Sequence, residues 1–192
     1  MVDETVIRTP PQYDRILARS EELRFSMNSD VLTGSLLRVL ARTKPHGSFL
    51  ELGTGCGLGT CWLLDGMSTG SRLISVDTDR RVQAIAREEL GLDPRLTLIL
   101  GDGGEFLDKC DAHFDLIYAD AWPGKYTHLD RALATLKPGG IYVIDDMLPQ
   151  PNWPADHPPK VATLLATLDG VEGIDIAKLS WSTGVVIGVK RP

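Results

Sequence analysis

Six acidic residues and a run of glycines stand where short apolar stretches end, and their chemistry can be read before any fold is assumed. The first stretch runs into Glu51-Leu52-Gly53-Thr54-Gly55-Cys56-Gly57-Leu58-Gly59-Thr60. Glycines in such a turn let the chain leave a strand sharply and let a ligand approach the backbone where a Cβ would intrude. The spacing is not the dinucleotide fingerprint G-x-G-x-x-G, because the third glycine would have to stand at Leu58 or at Thr60. The second stretch ends in Val76-Asp77-Thr78-Asp79. A carboxylate there can accept hydrogen bonds from two ribose hydroxyls at once, and Asp79 reads as the cap of a following helix. The third ends in Gly101-Asp102-Gly103-Gly104, where an acid or a backbone group could meet an adenine edge; the fourth ends in Asp120 and the fifth in Asp145-Asp146.

Residues of this kind need a scaffold that brings strand ends together. Apolar runs at 48–52, 72–76, 96–100, 114–119 and 141–144 alternate with helical patterns at 58–65, 79–90, 104–109 and 127–136. Near-continuous apolar strands separated by helices predict a parallel sheet covered on both faces. Two further strands, 174–179 and 185–190, are joined by too few residues for a parallel crossover and predict an antiparallel hairpin. The fold class is therefore α/β and doubly wound, with a mostly parallel seven-stranded sheet, and ligands are expected beyond the carboxyl ends of its strands. Ahead of it, 12–42 reads as two helices broken near 28–30, with Ser29 or Asp30 as cap and 25–29 irregular and free to touch a ligand. A proline-rich loop at 148–159 holds five of the 12 prolines and reads as a lid or substrate wall; a further helix follows near 160–168.

The 192 residues suit one domain, 1–192, with 1–44 as helices over the ligand site and 45–192 as the sheet-bearing core. The 20 basic and 26 acidic residues leave a net charge of −6, which argues against nucleic acid or an anionic membrane as the main partner. Cys56, Cys61 and Cys110 have neither disulfide nor zinc spacing, and a reducing cytoplasm is the expected location. The first eleven residues lack the apolar run of a secretory leader, and no run is long enough to span a bilayer.

Taken together, E-L-G-T-G-C-G-L-G-T, V-D, G-D-G, F-D-L-I-Y-A-D and L-K-P-G-G-I-Y-V-I-D-D resemble the Rossmann-like class I S-adenosylmethionine-dependent methyltransferases, nearest to the catechol and caffeoyl-CoA O-methyltransferase type. The resemblance covers residue 25 to the C-terminus and includes W-S-T-G-V-V-I-G, similar to that fold's closing hairpin. It implies that Glu51, Gly53, Thr54, Gly55 and Gly57 line the methionine part of the cofactor, Asp77 and Thr78 the ribose, and Asp102 with Gly103 the adenine. Met27 and Ser29 would close over it, and Asp120 would stand near its positive charge. Glu51 reads equally as a structural acid bonding the loop's own NH groups. Asp120, Asp145 and Asp146 match the positions that in the family hold a divalent cation such as Mg²⁺, which would anchor a substrate hydroxyl and lower its pKa.

Two departures bear on the chemistry. The family places a general-base Lys three residues after the first Asp, where this chain has Pro123; Lys125, two positions further on, is either that base or a solvated loop lysine. Gly59 stands where the family often has Ser, which leaves a cofactor carboxylate contact to another residue, such as Thr60. Trp122 and Trp153 read as stacking partners for a planar substrate or as a packed lid. His113, His128 and His157 read as solvated or locally bonded, and Met67 and Cys110 as core or helix-end residues. The function implied is methyl transfer to a hydroxyl oxygen of a small molecule; the resembled family is often a homodimer, and the sequence itself leaves the oligomeric state open. The alternatives are N-methylation, a nicotinamide oxidoreductase, and a cofactor-binding module without catalysis.

Overall fold

The computed structural model describes residues 7–151 and 153–192; residues 1–6, part of the segment read above as lacking a leader, and residue 152, inside the proline-rich loop, lie outside that description. Its elements in chain order are α1 (Tyr13–Glu22), α2 (Val31–Arg42), β1 (Ser48–Leu52), α3 (Leu58–Gly66), β2 (Arg72–Asp77), α4 (Arg80–Leu90) and β3 (Leu96–Leu100). They continue with α5 (Gly103–Lys109), β4 (Phe114–Ala119), α6 (Leu129–Ala134), β5 (Leu136–Ile144), α7 (His157–Asp169), β6 (Ile174–Leu179) and β7 (Val185–Lys190). Among the described residues no helix is long and apolar enough to cross a membrane.

The seven strands form one sheet in the order β3-β2-β1-β4-β5-β7-β6. All pairings among β1 to β5 are parallel, and β7 runs antiparallel to both β5 and β6, as the short connection between β6 and β7 requires. The chain winds outward from β1 to β3 and then returns to start again at β4. The carboxyl ends of β1 and β4 therefore flank the crevice where such a sheet binds its ligand.

Alternation along the strands feeds two cores. On one face Phe49, Leu73, Leu116 and Val143 pack with Ile16 of α1, Leu37 of α2, Trp62 of α3 and Ile85 of α4. On the other, Leu50, Val76, Ile117 and Ile144 pack with Leu107 of α5, Ala132 of α6 and Leu164 of α7. Strands buried on both faces explain the near-continuous apolar runs in the sequence. α2 and α3 approach closely because Gly34 has no side chain: a Cβ there would lie 2.2 Å from Nε1 of the buried Trp62.

Local chemistry set several boundaries. Asp30 caps α2 by accepting from the NH groups of Leu32 and Thr33, and Asp79 caps α4 by accepting from Arg81, the plain role read for it above. α7 begins three residues before the expected 160, since Pro158 and Pro159 are tolerated in a first helical turn. The helix expected at 127–136 ends at Ala134, and β5 starts at Leu136 rather than at 141. Leu136 pairs with Phe114 while Ile141 pairs with Leu116, so the Lys-Pro-Gly-Gly segment loops out of the strand as an irregularity. Gly139 supplies the positive φ of 71° in that loop, and Lys44 donates to its carbonyl at 2.7 Å.

Candidate functional site

A cavity of about 490 Å³ opens at the carboxyl ends of β1, β2, β3 and β4. That size is typical of a site for one small molecule or cofactor. Met27, Ser29, Gly53, Thr54, Gly55, Asp77, Thr78, Asp102, Gly103 and Asp120, all named from sequence, line it together. Phe25, Cys56, Val82 and Pro123 line it as well and had not been singled out. Only Phe25 carried a signal, its place in the irregular segment after α1; the other three reach the wall through the folding of the turns.

The cradle depends on absent side chains. Gly53 has φ 102°, and a Cβ on it would lie 2.7 Å from the Asp120 carbonyl oxygen, so the β1 turn and the β4 end can touch only with glycine here. Gly55 NH donates to Asp77 Oδ2 at 2.7 Å and Asp79 NH to Asp77 Oδ1 at 2.8 Å. Each carboxylate oxygen keeps a lone pair, so Asp77 is fixed in place and still able to accept from a ligand. Asp102 Oδ1 accepts from the NH groups of Gly104 and Glu105, which makes it the cap of α5 as well as part of the wall.

Glu51 and Gly57 do not line the cavity. Gly57, at φ 100°, packs against Ala86 of α4, where a Cβ would come within 2.8 Å. Glu51 is fully buried behind the wall, and its Oε2 accepts from the hydroxyls of Thr60 and Ser75. Its partners are thus hydroxyls rather than the loop NH groups foreseen in the structural reading, and Thr60 is turned to Glu51. Among the described residues Oε1 has no hydrogen-bond partner and faces Gly59, whose added Cβ would lie 2.7 Å away. Burial pushes the Glu51 carboxyl up to about 8; the two hydroxyls oppose that rise, and Asp120 and Asp77 add to it.

Behind the Asp120 end of the cavity lies a charged knot, of which Asp120 lines the cavity and Lys125, Asp145 and Asp146 do not. The turn Trp122-Pro123-Gly124, closed by Lys125 NH donating to the Trp122 carbonyl and with Gly124 at φ 87°, brings Lys125 back against the sheet. Lys125 is only 6% exposed, which overturns the solvated-lysine reading. Its Nζ donates to the Asp145 carbonyl at 2.8 Å and lies 3.4 Å from Asp120 Oδ1. Burial raises the Asp120 carboxyl well above the usual carboxylate range; the Lys125 ammonium pulls it down and the Asp145 charge pushes it up.

Asp145 and Asp146, expected beside Asp120 as cation ligands, are engaged by other partners. Among the described residues no three His, Cys, Asp or Glu side chains are placed to hold a metal ion. Asp145 Oδ1 accepts from Thr183 Oγ1 at 2.6 Å and from Asp146 NH at 2.7 Å, while its Oδ2 accepts from Tyr118 OH at 3.0 Å. Asp146 has φ 65°, and its Oδ2 accepts from Trp153 Nε1 at 2.9 Å in the proline-rich loop. Trp153 in turn lies 4.3 Å from the His157 ring, and His157 Nε2 bonds Tyr126 OH at 2.9 Å. Trp153 and His157 are therefore locally bonded, whereas Trp122 stays half-exposed at the cavity with Lys160 Nζ 4.3 Å above its ring.

Residues 50–147, from β1 to just past β5, match the model of a family described as a methyltransferase domain. The chain belongs to that family. Relatives carrying the provisional name O-methyltransferase include one of Mycolicibacterium vanbaalenii, 33% identical over 140 residues, or 68% of this chain and 62% of that protein. The chain thus matches somewhat less than two thirds of the length of such relatives. The structure of the O-methyltransferase TomG of Streptomyces achromogenes, solved with SAM, superposes with a TM-score of 0.84 at 20% identity, over 97% of this chain and 92% of that one. An O-methyltransferase of Bacillus cereus in complex with SAH gives a TM-score of 0.84 at 19% identity, over 97% and 93%. These likenesses establish the methyltransferase fold; the matched family segment carries every acid of the site and Lys125.

Proposed function

We propose that this methyltransferase-domain chain moves the methyl group of S-adenosylmethionine to a hydroxyl oxygen of a small molecule. The observation that carries the reading is the cavity at the β1–β4 crevice, lined by a glycine backbone wall, the pinned Asp77 and Asp120, with Lys125 paired to Asp120 from behind the wall. The side-chain-free wall of Gly53 and Gly55 suits the methionine part, Asp77 the ribose hydroxyls, and Gly103 with the neighbouring Pro123 the adenine plane. The carboxylates along the wall, Asp77, Asp79, Asp102 and Asp120, suit a ligand that carries an ammonium and a sulfonium.

When bound, the cofactor supplies an electrophilic methyl group on sulfur. The residues of this chain do the rest. Asp120, whose burial raises its proton affinity, receives the proton of the acceptor hydroxyl, and the Lys125 ammonium steadies the negative charge left on that oxygen. The new bond is oxygen to methyl carbon and the bond lost is methyl carbon to sulfur, so the products are a methyl ether and S-adenosylhomocysteine, with the proton on Asp120. Phe25 and Trp122 add aromatic surface to the cavity wall.

Calorimetric titration with S-adenosylhomocysteine and with NADH, followed by a hydroxylated-acceptor screen, tests the reading. Binding of the first and turnover of an acceptor is the expected outcome; preference for NADH, or tight cofactor binding with no turnover across the screen, would remove it.

A further inference from the structure

A buried ammonium stands where the strand-end acids had been expected to gather a divalent cation. Lys125 Nζ is held by the Asp145 carbonyl at 2.8 Å and by the Asp120 carboxylate at 3.4 Å. Mg²⁺ takes oxygen ligands in near-ideal octahedral geometry, usually one or two carboxylates with waters in the other places. Here Asp145 is held by Thr183, Tyr118 and the Asp146 NH, and Asp146 is turned by its left-handed backbone to the Trp153 indole. That leaves Asp120 as the one of the three that lines the cavity, and a divalent cation coordinated to it would be repelled by the ammonium already beside it.

We propose that the Lys125 ammonium is the built-in cation beside Asp120 and that methyl transfer proceeds without a divalent metal. Two of the three N–H bonds of the ammonium serve the Asp145 carbonyl and the Asp120 carboxylate. The cation stands on the protein's own geometry; the metal-free transfer rests on the methyl-transfer reading above.

The test uses the full chain with S-adenosylhomocysteine. Lysine ammonium protons held in buried hydrogen bonds exchange slowly and give an NMR signal, assigned here by its loss in Lys125→Met. Addition of Mn²⁺ is expected to leave that signal sharp, and calorimetric titration with Mg²⁺ is expected to show no one-site binding. Selective broadening by Mn²⁺, or a one-site Mg²⁺ isotherm abolished in Asp145→Asn, overturns the proposal, and the calorimetry decides on its own where the signal is too weak to follow. In turnover, EDTA is expected to leave the methylation of a hydroxylated acceptor unchanged. Lys125→Met should lower kcat about 100- to 1,000-fold with cofactor affinity retained, as for loss of one donor to a developing oxyanion, and Lys125→Arg should recover part of it. Turnover abolished by EDTA also overturns it. Failure of the methyl-transfer reading would look different: no cofactor binding and no turnover of any acceptor, with the Mn²⁺ and Mg²⁺ titrations still deciding the cation.

Discussion

Asp77 and Glu51 are both strand-end carboxylates, and their surroundings give them opposite work. Asp77 is held by two NH groups and faces the cavity, so Asp77→Ala removes a charged acceptor from the ligand and two partners from the loop. A hydrogen bond to a charged group contributes about 1.5–3 kcal/mol, so the affinity for S-adenosylhomocysteine should fall about 10- to 100-fold by calorimetry. Normal affinity in that variant would exclude Asp77 as the ribose acid. Glu51 is buried without facing the cavity, and burial is what governs it. Its folded-state value of about 8 lies above the ordinary 4.5, so between those values the folded chain keeps a proton that the unfolded chain has lost. Stability contributed by this group is present below the lower value and declines as pH rises, by about 1.4 kcal/mol per pH unit at the steepest. Urea unfolding at pH 6 and pH 8 should show the decline in the parent and a flatter profile in Glu51→Gln; equal slopes would mean that Glu51 is ionised throughout.

Among the elements, the contact of α2 with α3 is where a single methyl group should be felt. Gly34→Ala gains about 1 kcal/mol of helix propensity, while its Cβ would overlap Trp62, which is buried in the core. Overpacking costs about 1–3 kcal/mol, so the clash outweighs the propensity and the urea midpoint should drop. A rise in the midpoint would show that the helices can part freely. Elements whose limits lie in local chemistry were legible: the caps at Asp30 and Asp79, the hairpin forced by a short connection, and the five parallel strands with their apolar runs. The start of β5 was not, because Leu136 joins the strand only by pairing with Phe114 across the sheet, and the intervening Pro-Gly-Gly reads locally as a break.

For the molecule as a whole, the expected behaviour is that of a sheet whose crevice is completed by its ligand. A ligand that binds only the folded chain stabilises it by about 2.7 kcal/mol at 100 times its Kd, which for a chain of this size raises Tm by about 5–10 °C. S-adenosylhomocysteine should produce such a shift in a thermal melt and NADH should not; equal shifts would undo the cofactor assignment. The sequence by itself pointed to the doubly wound sheet and ten of the residues lining its cavity; eight of them stand at or just past a strand end and are placed by their own strand, while Met27 and Ser29 come from the irregular segment before α2. Only the tertiary structure decided the charged end of that cavity. Lys125 is buried by a turn that folds back on the sheet, and Asp145 accepts from hydroxyls 27 and 38 residues away. Glu51 is removed from the wall by Thr60 and Ser75. Each outcome depends on which donors from distant strands reach a carboxylate first, and that competition is settled by packing, which spacing along one chain does not encode.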